Sequence, residues 1–123
     1  MTINASANLS LQIANGPALS YAWAMKADAF DRITVLVKAG TNETVALQPA
    51  AGSKVLFVAL TSTDTSGQTT YDTLFGGAYP ITSPQIIAGS SLVNQLNNAP
   101  NSVKLANAGA ADSTVDIFVL RML

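Results

Sequence analysis

The sequence predicts an all-β fold, an antiparallel two-layer β-sandwich or jelly roll of about seven to nine short strands. Three observations lead to this prediction. Several segments alternate polar and apolar residues with a period of two, as half-buried strands do. Other segments are short runs of β-branched and apolar residues, which are typical of strands covered on both faces. Turn-forming Gly, Pro, Asn and Asp separate these segments at short intervals.

The clearest strand signal is at the N terminus, where Thr2–Ile13 alternates without interruption. Asn15-Gly16-Pro17 is turn chemistry, and we expect Gly16 to take the positive φ that glycine tolerates. Ala18–Met25 alternates again and is predicted to be a strand. A helix is the alternative over residues 18–30, because apolar residues there also recur at helical spacing and alanine favours helix.

The middle of the chain predicts a hairpin and then a buried strand. Ile33–Val37 and Glu43–Leu47 are short β-rich runs on either side of the turn residues Ala39–Asn42, which is a hairpin signature. Lys54–Leu60 is almost entirely apolar, so we expect a strand covered on both faces. Thr61–Thr70 has no periodicity and is predicted to be a polar loop.

The last part of the chain contains weaker strand signals and a second predicted hairpin. Tyr71–Phe75 is predicted to be a short strand, and Tyr79–Pro84 to be extended because each proline disfavours helix in the residue before it. Residues 85–96 fit either two strand fragments or a short helix. Ser102–Ala106 and Thr114–Met122 flank a loop that contains Asn, Gly and Asp, which predicts a hairpin.

Composition limits the classes of function. The 123 residues predict one domain, 1–123. Only 11% of the residues are charged, against roughly 25% in an average soluble domain. The net charge of -1 excludes the basic surface by which proteins bind nucleic acid or an anionic membrane. The absence of Cys and His excludes disulfides, thiolate zinc sites and Ser-His-Asp triads.

Neither of the two long uncharged stretches, 1–25 and 73–103, is predicted to cross a membrane. The first alternates polar with apolar residues, and the second is interrupted by Gly and Pro. The first residues lack the basic start and compact apolar block of a secretory signal. We therefore expect synthesis in the cytoplasm without a signal peptide, followed by incorporation into a virion or another particle.

No motif indicates catalysis, so we predict no enzymatic activity and no cofactor. Neither a G-x-S-x-G elbow nor an S-x-x-K motif occurs. Asp28 and Asp31 are close enough to suggest paired carboxylates, but Lys26 and Arg32 beside them indicate a charged corner between strands. An enzyme is the better interpretation only if one of these aspartates lies in a cleft with no basic neighbour.

Four residues are candidates for contact with a ligand or partner. Asp64 and Asp72 lie in or beside the Thr/Ser-rich loop, where a shared calcium site is conceivable but a structural role in turns is the more usual one. Tyr71 and Tyr79 flank turns, so we expect them to be exposed and available to a glycan or a protein.

The N-terminal segment 1–13 is the candidate for assembly. Its apolar positions, which include Ile3, Leu9, Leu11 and Ile13, form one face of the predicted strand. Such a strand, exchanged between neighbouring copies, adds main-chain hydrogen bonds as well as apolar burial. A surface with few charges also gives little repulsion between copies.

These observations favour a non-enzymatic structural protein that acts by self-association or attachment in a larger assembly. The general pattern is similar to that of small virion β-sandwiches, which makes a phage-type capsid, decoration or tail component the most concrete form of the hypothesis. The expected partner is a second copy or another subunit, with no nucleic acid and no membrane. The alternative is a carbohydrate-binding module or lectin on the same scaffold.

Overall fold

A computed structural model describes residues 2–47, 54–73, 77–88 and 102–122. These residues form ten strands in three antiparallel sheets, with no helix among them. The strands are β1 (Ile3–Gln12), β2 (Ala18–Ala27), β3 (Ala29–Val37), β4 (Asn42–Ala46), β5 (Lys54–Ser62), β6 (Thr69–Thr73), β7 (Gly77–Pro80), β8 (Gln85–Ala88), β9 (Ser102–Asn107) and β10 (Ser113–Met122). The predicted all-β class is confirmed.

The predicted number of strands, seven to nine, is too low. The short segments Gly77–Pro80 and Gln85–Ala88 each pair with a longer strand, β6 and β5 respectively. Their own sequences give a weak strand signal, and the hydrogen bonds to a neighbour stabilise them. Residues 89–96, the rest of the ambiguous segment, lie outside the described residues.

Strands β1 and β2 form a separate two-stranded sheet, called here the arm (residues 3–27). Every residue from Ile3 to Gln12 has a partner in β2, so residues 18–27 are strand and the helical alternative is wrong. The turn between them places the positive φ, 58°, on Asn15 and not on Gly16. Asparagine also tolerates the left-handed region, and the N–H of Gly16 donates to the Ile13 carbonyl at 2.9 Å.

The other eight strands form two four-stranded sheets, in the orders β3-β10-β5-β8 and β4-β9-β6-β7. The first is called here sheet B and the second sheet C. Both predicted hairpins are wrong, because β3 and β4 lie in different sheets, as do β9 and β10. The turn after β3 bonds instead to the end of β9: the Gly40 N–H donates to the Asn107 carbonyl and the Asn107 N–H to the Thr41 carbonyl.

The main core contains residues of both four-stranded sheets. Sheet B supplies mainly valines, with Leu60 and Ile117, and sheet C supplies Tyr71, Val103 and Leu105. Strand β5 is covered on both faces as predicted, since Leu60 belongs to this core and Phe57 to a second buried cluster. No helix in the described ranges is long and apolar enough to cross a membrane.

Candidate assembly surface

The arm has one apolar face, and its other face is polar along β1 and mainly alanine along β2. Residues paired directly across two strands lie on the same face of a sheet, so the alternation in β1 and β2 is in phase. The apolar face contains Ile3, Ala5, Ala7, Leu9 and Leu11 from β1, with Leu19, Tyr21, Met25 and Ala27 from β2. The opposite face of β1 contains only Asn, Ser and Gln.

The protein covers the base of this apolar face. Ala27 is fully buried in the second cluster with Phe57 and Leu120, which belong to β5 and β10 of sheet B. Ala5 and Met25 pack against the same cluster. The arm is therefore anchored by its apolar face to the side of sheet B that faces away from the main core.

The same apolar face is uncovered at the far end of the arm, from residue 8 to residue 22, where every side chain is exposed. Leu9 is 47%, Leu11 55% and Leu19 54% exposed, and Ile13 beside the turn is similar. Covering a leucine that is half exposed contributes on the order of 1 kcal/mol. A two-stranded hairpin without support is at best marginally stable in water. The tip is thus a surface suited to further apolar contact.

A second apolar surface lies on the outer face of sheet B, next to the anchored base of the arm. It comprises Phe30, Ile86 and Phe118, and is called here the apolar patch. Phe30 is 56% exposed, Ile86 54% and Phe118 37%. The rings of Phe30 and Phe118 stack with centroids 6.2 Å apart, and Phe118 also meets the edge of Phe57 at 6.4 Å.

One ion pair bounds the patch. Arg32 Nη2 lies 3.4 Å from Asp116 Oδ2, and the Thr34 hydroxyl donates to Asp116 Oδ1 at 2.7 Å. The hydrogen bond from Thr34, followed by the bond and charge of Arg32, holds the pKa of Asp116 below its ordinary value. Arg32, Asp116 and Ala59 line an open cavity of about 370 Å³ beside Phe118. The edge of the patch is therefore polar but balanced in charge.

Some of the residues predicted for the assembly strand or for ligand contact are exposed, and others are buried or half-buried. Ile3 is half-buried at the base of the arm, whereas Leu9, Leu11 and Ile13 are at its exposed end. The predicted exposure of Tyr71 is wrong: it is 7% exposed because β6 lies between β9 and β7 and turns this side chain towards the core.

Tyr71 and Tyr79 form a pair across two strands of sheet C. Their ring centroids are 5.9 Å apart, and the Tyr71 hydroxyl donates to Gln85 Oε1 at 3.3 Å. Burial, with a smaller effect of Tyr79, raises the pKa of Tyr71. Tyr79 is exposed as predicted. The pair braces the edge of sheet C, and one of its two rings is accessible.

The structure gives Asp64 and Asp72 different partners. Asp64 Oδ1 accepts the Ser66 N–H at 3.0 Å within its loop, and the Ser66 bonds lower the pKa of Asp64. Asp72 Oδ2 lies 3.9 Å from Lys104 Nζ on the neighbouring strand. In the part of the chain that the structure describes, no group of three or more acidic residues could hold a metal ion.

Asp64 lines a cavity of about 370 Å³ at one end of the sheets, formed by the loops before β6 and before β10. Gln68 and Asp112 also line it, and Asp112 Oδ1 accepts the Ala39 N–H at 2.9 Å. No aromatic side chain is among its lining residues. This cavity is the best candidate for the predicted glycan site.

Asp31 does not meet the condition for a catalytic carboxylate, because it has a basic neighbour in contact. It forms an ion pair with the buried side chain of Arg121, whose Nη1 donates to the Leu47 carbonyl at 3.0 Å. The N–H of Asp28 donates to the Arg121 carbonyl at 2.9 Å. Asp31 and Arg121 therefore join the start of β3 to the end of β10.

Sequence reasoning missed the apolar patch. Phe30 and Phe118 are far apart in the chain, and only the register of β3 with β10 places them beside each other. The one local signal is that Phe30 and Leu36 lie on the same face of β3 as the polar residues Arg32 and Thr34, which is the exposed face. No protein family model, curated protein or solved structure matches the chain.

Proposed function

We propose that this protein is a non-enzymatic structural subunit that acts by self-association in a larger assembly. The observation that carries the proposal is the apolar face of the arm, which packs against sheet B at Ala27 and is exposed at Leu11 and Leu19. A hairpin that leaves half of its apolar face in water gains stability when another protein surface covers it.

The most concrete form of the proposal is a phage-type capsid, decoration or tail component, with the protein incorporated into a virion or similar particle. We infer that sheets B and C pack as a two-layer sandwich with jelly-roll connectivity. The nested pairs β3–β10, β4–β9, β5–β8 and β6–β7 support this inference, because they are the pairs of one long hairpin that has been rolled up. Jelly rolls occur in viral capsid domains and in lectins, and the exposed apolar tip of the arm favours the first of these.

The composition supports a role in contact with other copies. Charged residues are scarce, and the arm from residue 3 to residue 25 has none. Such a surface can be buried without the cost of removing charges from water. The asparagine, serine and glutamine side chains of β1 lie on the other face of the arm and are exposed to solvent there.

Native mass measured over a range of protein concentrations tests the proposal. We expect the wild type to form a species larger than one chain, and the variant Leu11→Thr/Leu19→Thr to shift towards the monomer. Threonine preserves strand propensity, so the arm should still form. The matched control is Ser10→Thr/Ser20→Thr, the adjacent pair on the polar face, which should behave as wild type. A wild type that is monomeric at every concentration contradicts the proposal.

The second candidate function is a carbohydrate-binding module. The cavity lined by Asp64, Gln68 and Asp112 favours it, because convergent carboxylate and amide groups at the loop end of a sandwich suit sugar hydroxyls. Glycan-array binding that Gln68→Ala abolishes, in a protein that remains one chain in solution, would favour this function over the first.

A further inference from the structure

We propose that the tip of the arm, Leu9, Leu11 and Leu19, docks on the apolar patch of a second copy. The inference rests on the proposed self-association and names its two surfaces. In this contact the tip of one copy lies on the apolar patch of another, so each copy has one surface of each kind.

The apolar patch is continuous with a contact that already exists within the chain. The base of the arm packs on Phe57 and Leu120, and the same Phe57 ring meets Phe118 of the patch. Leu120 pairs with Phe30 on one side and with Phe57 on the other. The covered and exposed parts of this sheet face are therefore neighbours, and the arm's apolar face already fits one of them.

Both surfaces, the tip and the apolar patch, are exposed in the same chain. Leu11 and Leu19 are about half exposed, and so are Phe30 and Ile86. The chain's own arm is fixed at its base to Phe57 and Leu120, and it leaves the patch uncovered. The tip of another copy is therefore the occupant that matches the patch in chemistry.

The charges around the tip and the patch do not oppose the contact. The arm carries no charge before Lys26, and the charges at the edge of the patch, Arg32 and Asp116, neutralise each other. The side chain of Arg32 is 72% exposed, so it can stay in water at the rim while the patch is covered. An apolar centre with a polar rim is the usual arrangement of a protein–protein interface.

The competing arrangement is tip against tip, in which two arms cover each other around a two-fold axis. That arrangement uses one surface and leaves the patch exposed. Tip against patch uses two different surfaces, so it gives a reciprocal dimer, a ring or an open chain of copies. The two arrangements differ in the effect of changes in the patch.

Complementation between two variants tests the proposal. The tip variant is Leu11→Thr/Leu19→Thr, and the patch variant is Phe30→Thr/Ile86→Thr. We expect each alone to associate at least about tenfold more weakly than wild type in sedimentation or native mass. An equimolar mixture restores one intact tip and one intact patch, and should associate more tightly than either variant alone. Leu36→Thr, an equally exposed position on β3, is the control and should match wild type.

The outcomes separate this proposal from the proposed function. A patch variant that assembles as wild type does, while the tip variant does not, overturns the patch and leaves self-association intact. A mixture no tighter than its components also overturns the patch. A monomeric wild type overturns both proposals. Melting curves show whether each variant folds, and Ile86→Thr alone replaces the patch variant if the double change does not fold.

Cross-linking gives a second measurement on folded protein. The chain has no cysteine, so single cysteines can be placed without interference. A mixture of Leu11→Cys and Ile86→Cys chains, joined by a short bis-maleimide, should give a product that contains one chain of each kind. Leu36→Cys in place of Ile86→Cys should give little product, and equal yields would count against docking on the patch.

Discussion

The side chain of Asn107 is buried between the turn that follows β3 and the loop that precedes β10. Its Nδ2 donates to the carbonyls of Val37 at 3.0 Å and Ala111 at 2.8 Å, and its Oδ1 accepts the Gly109 N–H at 2.9 Å. Because Asn107 belongs to β9 of sheet C and Val37 to sheet B, the hydrogen bond from this amide to the Val37 carbonyl links the two sheets. It is the kind of buried polar group whose loss leaves its partners without hydrogen bonds.

We expect Asn107→Ala to lower the free energy of unfolding by about 2–4 kcal/mol, because the buried carbonyl of Val37 loses its donor. Urea denaturation measures the loss. The control is Asn42→Ala, at an exposed position on β4, which should change stability by less than about 0.5 kcal/mol. Equal effects of the two substitutions would show that the Asn107 bonds contribute little.

Asp116 provides a test by pH. Its pKa is lowered in the folded protein, chiefly by the Thr34 hydroxyl, so its bonds contribute stability above the unfolded pKa of 3.8. That contribution is lost as the pH falls through the lower folded value. In Thr34→Val we expect the pKa of Asp116 to rise towards 3.8, as measured by NMR titration of the carboxyl group. The pKa of Asp64, which Ser66 lowers, is the internal control and should not move.

At the scale of single residues, the sequence predicts strands better than it predicts exposure. Tyr71 and Tyr79 both flank turns, yet one is buried and the other exposed. The difference arises because β6 is an inner strand and β7 an edge strand of sheet C. Strand order is a property of distant parts of the chain, and no local pattern around either tyrosine contains it.

At the scale of elements, the long strands were predictable and their partners were not. Period-two alternation identified β1, and β-branched runs identified β3, β5 and β10. The sequence predicts that β3 pairs with β4 and β9 with β10, because turn residues separate the members of each pair. At both of these turns the chain instead passes from one four-stranded sheet to the other. The apolar faces of β3 and β4 contribute to one core from two sheets, and that burial outweighs the local preference for a hairpin.

The structure predicts that the tip of the arm is locally less stable than the sheets. In a monomeric tip variant, we expect the amides of β1 and β2 near the turn to exchange with solvent much faster than those of β10, because only the base of the arm is packed. If wild-type copies associate as proposed, the same amides should become protected. Hydrogen exchange measured by mass spectrometry gives both values. Tip amides as slow as those of β10 in the monomer would show that the arm needs no partner.

At the scale of the whole molecule, the strand pattern predicts a β protein and the composition shows that it is poor in charge. The sheets show where its apolar residues are placed. Some of the apolar residues lie in the core, and others are exposed on the arm tip and the apolar patch. The arm tip was predictable from the sequence, because polar and apolar residues alternate along β1. The second depends on the register of β3, β10, β5 and β8, so it required the structure.

The dependence of the proposed association on salt concentration tests whether apolar contact or ionic attraction drives it. The chain has a net charge of -1, and neither Leu11 and Leu19 of the tip nor Phe30 of the patch is charged. Sodium chloride screens ionic attraction but leaves apolar contact in place, so raising it to about 1 M, where the Debye length is roughly 3 Å, should not weaken association. Sulfate should strengthen it, because excluded salts favour apolar burial.

The measurement is the dissociation constant of the wild type at several salt concentrations, with Asp116→Asn as the matched variant. Removing that carboxylate leaves Arg32 without its partner at the rim of the patch. If contact is apolar, the variant and the wild type should respond to sodium chloride alike, since the rim charge stays in water. A dissociation constant that rises steeply with salt would instead place the main attraction in ion pairs, and would require an interface that includes the few charged side chains of the sheets and not the uncharged tip of the arm.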